Sequence, residues 1–189
     1  MSPRVGLDQQ TIIQTAIRLA DEHGLSGVTL AAVAKACDVR TPSLYNHIRG
    51  LEALRTELSV LGMQALYRQM SQAAEDLHQD EAIHAVSRAY LAFARAQPGL
   101  YEASLEAPRM DHPELLAISR RLVDFMCNLM TPYALDEDAS LHAVRGLRSL
   151  LHGFTSLEQQ GGFKLPLDLD VTLTRLIDTF LAGIYKMQG

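Results

Sequence analysis

Several things are scarce or missing in this chain, and each absence excludes something. No apolar run approaches the roughly 20 residues that span a bilayer, and the first residues, MSPRVGLDQQ, lack the apolar core of a signal peptide. Only two cysteines occur, Cys37 and Cys127, without metal-ligand spacing, so neither a disulfide framework nor a thiolate metal site is indicated. The seven histidines form no H-x-x-x-H or H-E-x-x-H pair, and no metal is expected. No nucleophile elbow, P-loop or dinucleotide fingerprint appears, so no cofactor and no enzymatic activity are expected. Period-2 alternation, internal repeats and low-complexity segments are missing as well. These readings describe a cytoplasmic globular protein that neither spans a membrane nor catalyses.

Positive charge is also scarce. The net charge is −5, which argues against a surface that binds nucleic acid all over. The distribution is uneven. Residues 1–50 carry Arg4, Arg18, Lys35, Arg40 and Arg49 against Asp8, Asp21, Glu22 and Asp38, leaving 12 basic and 18 acidic residues for the remainder. Any contact with DNA is therefore confined to the N-terminal part. Its electrostatics are modest, and two copies acting together would strengthen it.

What is present is helical periodicity. Asp8 suits the N-cap of a first helix, with Ile13, Ile17 and Ala20 as its apolar stripe, Ala16 beside them and Gly24 as its stop. Thr29 suits the cap of a second helix that turns Leu30, Val33, Ala34 and Cys37 inward. The spacing predicts a third helix from about Thr41 to Ile48, then a long helix carrying Leu51, Leu54, Leu58, Leu61 and Ala65. Further helices are expected at about 81–97, 113–131, 137–160 and 170–187, the last capped by Asp170. Pro98-Gly99 and Pro108 to Pro113 bracket a short helical piece with Tyr101 and Leu105. The fold class is all-α. A three-helix domain over residues 1–50 precedes a larger helical domain over residues 51–189.

The stretch TLAAVAKACDVRTPSLYNHI, residues 29–48, is the most informative. On its second helix Leu44 and Ile48 share one face and pack inward, with Val39 in the turn. Thr41 with Tyr45, Pro42 with Asn46, and Ser43 with His47 lie on outward faces. Pro42 suits a first helical turn, where a missing N–H costs little. Such a helix fits the major groove: Ser, Thr and Asn reach base edges, and Tyr45 and His47 reach phosphate or sugar. A plain helical hairpin with a solvated outer face has the same periodicity.

The run VAKACDVRTPSLYNHIRGLEAL resembles the helix-turn-helix of TetR-type transcriptional regulators, whose pattern is L-A-x-x-x-G-V-S-x-x-x-L-Y-x-H-F. Val33, Ala34, Val39, Leu44, Tyr45, His47 and Ile48 match it. Asp38 stands where glycine is usual and requires a left-handed backbone, which Asp tolerates better than most residues. Arg40 replaces a serine, which removes a cap and adds a possible phosphate contact. Leu51 stands where a phosphate-binding lysine is frequent, and Arg49 offers a basic side chain in its place. Further on, LLHGFTSLEQQGGFKLPLD resembles the C-terminal domain of the subgroup named for a Trp-His-Gly motif, with Leu151 for the tryptophan and His152 and Gly153 matching.

The resemblance implies a homodimer that binds a palindromic operator on double-stranded DNA. It also implies repression, and release when a small molecule enters the C-terminal domain. DNA-contacting positions would be Thr29, Arg40, Thr41, Pro42, Ser43, Tyr45, Asn46, His47 and Arg49. Independently, Gly146, Ser149, Gly153 and Ser156 line one face of the penultimate helix, where a partner helix could approach closely. In the last helix Leu173, Leu176, Ile177, Phe180, Leu181 and Ile184 form an apolar face too wide for one contact. Central helices of a monomer core would look similar. Tyr90, Phe93, Tyr101, Met110, Phe125, Met126, Met130 and Tyr133 would surround an effector pocket or form plain core. His152, in an apolar helix, would anchor a largely apolar effector or sit as a satisfied core histidine. The alternative function is a helical adaptor that binds a protein partner and no DNA.

Overall fold

The computed structural model describes residues 7–106 and 112–187, which form nine α-helices and two short 3-10 turns. Met110 lies outside the described residues. Among the described residues no helix is long and apolar enough to cross a membrane. The chain divides into two compact units, residues 1–65 with 95–118, and residues 66–94 with 119–189. The first unit thus takes in more than the 1–50 segment expected from the sequence, because a later stretch returns to it.

In the first unit, α1 (Gln9–His23) begins at Asp8, whose backbone is extended and whose carboxylate accepts the Thr11 N–H at 2.7 Å. It stops at Gly24, where φ is +72°, a conformation that costs glycine little. The buried stripe of α1 is Ile12, Ala16, Leu19 and Ala20, while Ile13 and Ile17 are only half-buried. The period matches the expectation and the phase does not. Periodicity defines a stripe, but the neighbours select which rotation of it turns inward.

A 3-10 turn (Leu25–Gly27) leads to α2 (Leu30–Ala36), capped by Thr29, which accepts the Ala32 N–H at 3.1 Å. Then come α3 (Thr41–Leu44) and α4 (Leu51–Ala73), which contributes fully buried Leu54 and Leu58 to this unit. The end of α5 (Gln79–Ala96) and the short α6 (Pro98–Ser104) complete the arrangement with the start of α7 (Pro113–Met130). A Cβ on Gly99 would lie 2.5 Å from the Ala20 Cβ, so only glycine lets α6 approach α1 this closely. Gly62 of α4 likewise lies against the Leu100 carbonyl.

In the second unit, α7 ends in a turn at Thr131–Tyr133. Asp136 caps α8 (Glu137–Gln159) by accepting the Ala139 N–H at 2.7 Å. The last helix, α9 (Leu169–Lys186), is capped by Asp168, which accepts from the Asp170 and Val171 amides. Asp170 was the expected cap; it is instead the second helical residue, because the carboxylate that reaches the free amides lies two positions earlier. The core of this unit includes Ile83, Phe93, Met130, Tyr133, Leu147 and Ile177, each at most 1% exposed.

Candidate nucleic-acid interface

The segment from Thr29 to Arg49 is built from helices too short to hold themselves. α2 has seven residues and α3 four, and isolated helices of that length do not persist in water. Local hydrogen bonds and burial replace length. α2 ends with the Asp38 N–H on the Lys35 carbonyl and the Val39 N–H on the Ala34 carbonyl, the pairing that closes a helix through a left-handed residue. That residue is Asp38, with φ at +54°, as its departure from glycine required. Val39 is half-buried and Arg40 is exposed, entering α3 with no side-chain cap.

The helical part of α3 is shorter than expected and ends at Leu44 rather than Ile48. Residues 45–47 continue as turns. The Tyr45 N–H donates to Pro42, Asn46 to Ser43, and both His47 and Ile48 to the Leu44 carbonyl. These tightened bonds preserve the intended faces. Leu44 is 0% and Ile48 8% exposed, whereas Tyr45 is 59% exposed. Pro42 and Asn46 are also exposed, with Thr41, Ser43 and His47 at intermediate exposure and Thr29 and Arg49 in the open. The nine residues expected to meet DNA therefore all keep access to solvent, on elements of the same unit.

Electrostatics add one link. The Thr11 backbone amide, then its hydroxyl, and the charge of His47 hold the Asp8 carboxyl below the usual carboxylate range. A groove of about 530 Å³ runs beside the turn after Leu44, lined among others by Gln9, His47, Arg49, Glu52, Glu57 and His112. Its lining includes carboxylates as well as basic groups, so it is no simple phosphate cradle. Cys37 is half-buried, with its thiol 3.4 Å from the Thr15 hydroxyl.

The N-terminal residues 12–58 match the model of bacterial regulatory proteins of the tetR family, and residues 83–180 match the tetracyclin repressor-like C-terminal domain. The chain is 42% identical over 186 residues to an uncharacterised HTH-type transcriptional regulator, YobS, of Bacillus subtilis (strain 168), covering 97% of this chain and 96% of that one. The chain belongs to the TetR family. This TetR-family chain is thus a DNA-binding transcriptional regulator and not an enzyme. Solved structures share its fold. A protein of unknown function from Rhodococcus sp. RHA1 superposes with a TM-score of 0.80 at 20% identity, covering 97% of this chain and 98% of that one. A TetR variant from Acinetobacter baumannii AYE, in complex with minocycline, superposes with a TM-score of 0.68 at 19% identity, covering 97% and 99%.

The other expected sites of this TetR-family protein are placed less uniformly. Tyr90, Phe93, Met126 and Met130 are buried in the second unit, and Tyr101 is buried in the first. His152 is exposed rather than interior. Leu147, Leu151 and Phe154 take the inward stripe of α8, and His152 falls on the open face with Ser149 and Ser156 one turn away on either side. An apolar neighbourhood in sequence concealed this, because residues adjacent in a helix point about 100° apart.

Along α8, Gly146 and Ser149 are exposed and Gly153 and Ser156 half-buried, and a Cβ on Gly153 would meet nothing within 4 Å. On α9, Leu173, Ile177, Leu181 and Ile184 are buried, while Leu176 is 37% exposed and Phe180 is intermediate. The wide apolar face therefore divides into a packed half and an open half.

Two polar ties in the second unit were not foreseen. One Asp80 oxygen accepts both the Tyr133 and the Tyr185 hydroxyl at 2.8 Å. His84 Nε2 lies 2.9 Å from Asp178 Oδ1. Burial, followed by the Asp80 hydrogen bond, raises the Tyr133 phenol far above its ordinary value. Partners 53 and 105 residues apart leave no local sequence signal.

Proposed function

We propose that this regulator is a dimeric repressor that binds a palindromic operator and leaves it when a small, largely apolar molecule enters its C-terminal domain. Residues 1–50 read DNA, and residues 51–189 hold the effector and the dimer contact. The observation that carries the reading is the division of one short segment into a buried Leu44–Ile48 side and an open side bearing Tyr45. Thr41, Pro42, Ser43 and Asn46 meet base edges in the major groove. Tyr45, His47, Arg40, Arg49 and Thr29 meet the phosphate backbone. Because the positive charge is modest, two copies bind together, and the two-fold axis of the dimer demands a two-fold operator.

The dimer forms across Gly146, Ser149, Gly153 and Ser156 of α8 with Leu176 and Phe180 of α9. Small residues, two exposed and two half-buried, allow close approach of a partner helix, and the open half of the α9 apolar face supplies the area to bury. Tyr90, Phe93, Met126 and Met130 contribute the apolar lining for the effector, a proposal supported by their burial within one unit. The minocycline complex of a structural neighbour supports a small-molecule effector in general terms. His152 is kept as a polar contact only if the effector reaches the open face of α8. The regulator acts in the cytoplasm, where its DNA is.

Selection of duplexes from a random pool tests the reading. A palindromic consensus bound with steep salt dependence is expected, since phosphate contacts release counterions. Tyr45→Ala should weaken binding to that consensus about tenfold without changing the thermal midpoint, because the ring is mostly exposed in the protein and its proposed hydroxyl–phosphate hydrogen bond is lost. An enriched pool with no two-fold symmetry, or full affinity in both Tyr45→Ala and Thr41→Ala, would remove the assignment of this face.

A further inference from the structure

The turn that delivers α2 from α1 is gripped from two directions by groups far away in sequence. The Leu25 N–H donates to Glu102 Oε2 of α6 at 2.6 Å, and the residues are 77 positions apart. Arg55 Nη2 of α4 donates to the Leu25 carbonyl at 3.3 Å and to the Val28 carbonyl at 3.4 Å. Thr29, the cap of α2, is the next residue. The tie is returned at the other end of the same contact. Asp21 of α1 accepts the Gly99 N–H at the start of α6 at 2.8 Å, where Gly99 sits against the Ala20 backbone with no room for a Cβ. One carboxylate from α1 thus holds α6, and one carboxylate from α6 holds the turn after α1.

We infer that Glu102 is a positioning residue for operator recognition: through the Leu25 amide it sets the angle at which α2 and α3 leave α1. The inference rests on the DNA-reading function proposed above. Helices of seven and four residues have no stiffness of their own and take their pose from what holds their ends. Phosphate attraction tolerates a small error in that pose, since it is long-ranged and carries no sequence information. Hydrogen bonds to base edges do not tolerate it, because they need donor and acceptor within a few tenths of an ångström. Loosening the turn should therefore erode discrimination between operator and unrelated DNA rather than binding as such.

The test uses the full-length protein, the duplex it enriches from a random pool, and a scrambled duplex of the same length and composition. Glu102→Ala should lower affinity for the enriched duplex about tenfold, with affinity for the scrambled duplex changed less than about twofold, as expected for one lost charge-assisted hydrogen bond. Glu102→Gln keeps an acceptor oxygen at the same reach and should restore most of the difference. Glu102→Asp keeps the charge but is one methylene short, and should resemble Glu102→Ala. A merely structural role would lower both affinities in step with the thermal midpoint, and that result would overturn the inference. If Glu102→Ala does not fold, the Gln and Asp variants carry the test, and equal discrimination in both overturns it. If the wild type enriches no duplex, the DNA-reading function fails and this inference with it. If the wild type enriches one and Glu102→Ala discriminates equally well, only the role of Glu102 fails.

Discussion

The helix-turn-helix segment and the α8–α9 pair solve the same problem in opposite ways. α2 and α3 are seven and four residues long. They are held by a capping threonine, a left-handed aspartate, a tightened turn after Leu44, and carboxylate and guanidinium ties from α6 and α4. α8 and α9 run to 23 and 18 residues, keep one apolar stripe inside, and leave Leu157, Val171 and Leu176 exposed. A short helix has to have its ends fixed, because it has little else. A long amphipathic helix is held by its buried stripe and has surface left to offer a partner. The helix-turn-helix segment therefore depends on where its ends are tied, and the proposed dimer face depends on what is left uncovered.

Glycine substitution would show this difference most strongly. Gly99→Ala pushes a Cβ to within 2.5 Å of Ala20, and overpacking of this kind should cost about 1–3 kcal/mol, read as a lower midpoint in urea unfolding. Gly153→Ala meets nothing within 4 Å and removes a flexible residue from a helix interior, so the protomer should gain up to about 1 kcal/mol. Equal losses at the two sites would erase the contrast. Gly153→Leu adds the dimer arm: light scattering should show dissociation if a partner helix packs there, and an undisturbed dimer would move the interface elsewhere.

The unforeseen tie in the second unit predicts a smaller effect. Tyr133→Phe deletes the donor of a buried hydroxyl while Asp80 keeps the Tyr185 hydroxyl, so unfolding should be easier by about 1 kcal/mol. A loss comparable to that of Gly99→Ala would mean that the second unit, too, rests on a few polar points. The smallest effect belongs to the Asp8 cap of α1. Its carboxyl is held below the ordinary value of 3.8 in the folded protein. The cap's contribution is therefore complete above about that pH and disappears as pH falls through the lower folded value. Asp8→Ala should lower the thermal midpoint slightly at pH 7 and leave it unchanged at strongly acidic pH. A difference that grows on acidification would contradict the assigned cause.

Much of this was legible along the chain, and the pattern of successes has a cause. Asp8, Gly24 and Thr29 end or begin helices as their residue types imply, because a cap acts on amides within three or four positions. The inward pairing of Leu44 with Ile48 and the left-handed Asp38 are equally local. The misses are of another kind. The rotation of α1, the cap of α9 at Asp168, the exposure of His152 and the shortened α3 depend on which of several locally acceptable arrangements the neighbours favour.

By itself, then, the sequence determined an all-α protein, the approximate extent of its helices, the outward face of its helix-turn-helix and its resemblance to TetR-type regulators. These follow from periodicity, capping and motif spacing, which act over a turn or two of helix. Only the tertiary structure decided that residues 95–118 join the N-terminal unit, that Glu102 and Arg55 hold the turn before α2, and that one carboxylate at Asp80 gathers two tyrosines. Those contacts join groups 27 to 105 residues apart. No local pattern encodes them, because they exist only once packing has brought distant helices together.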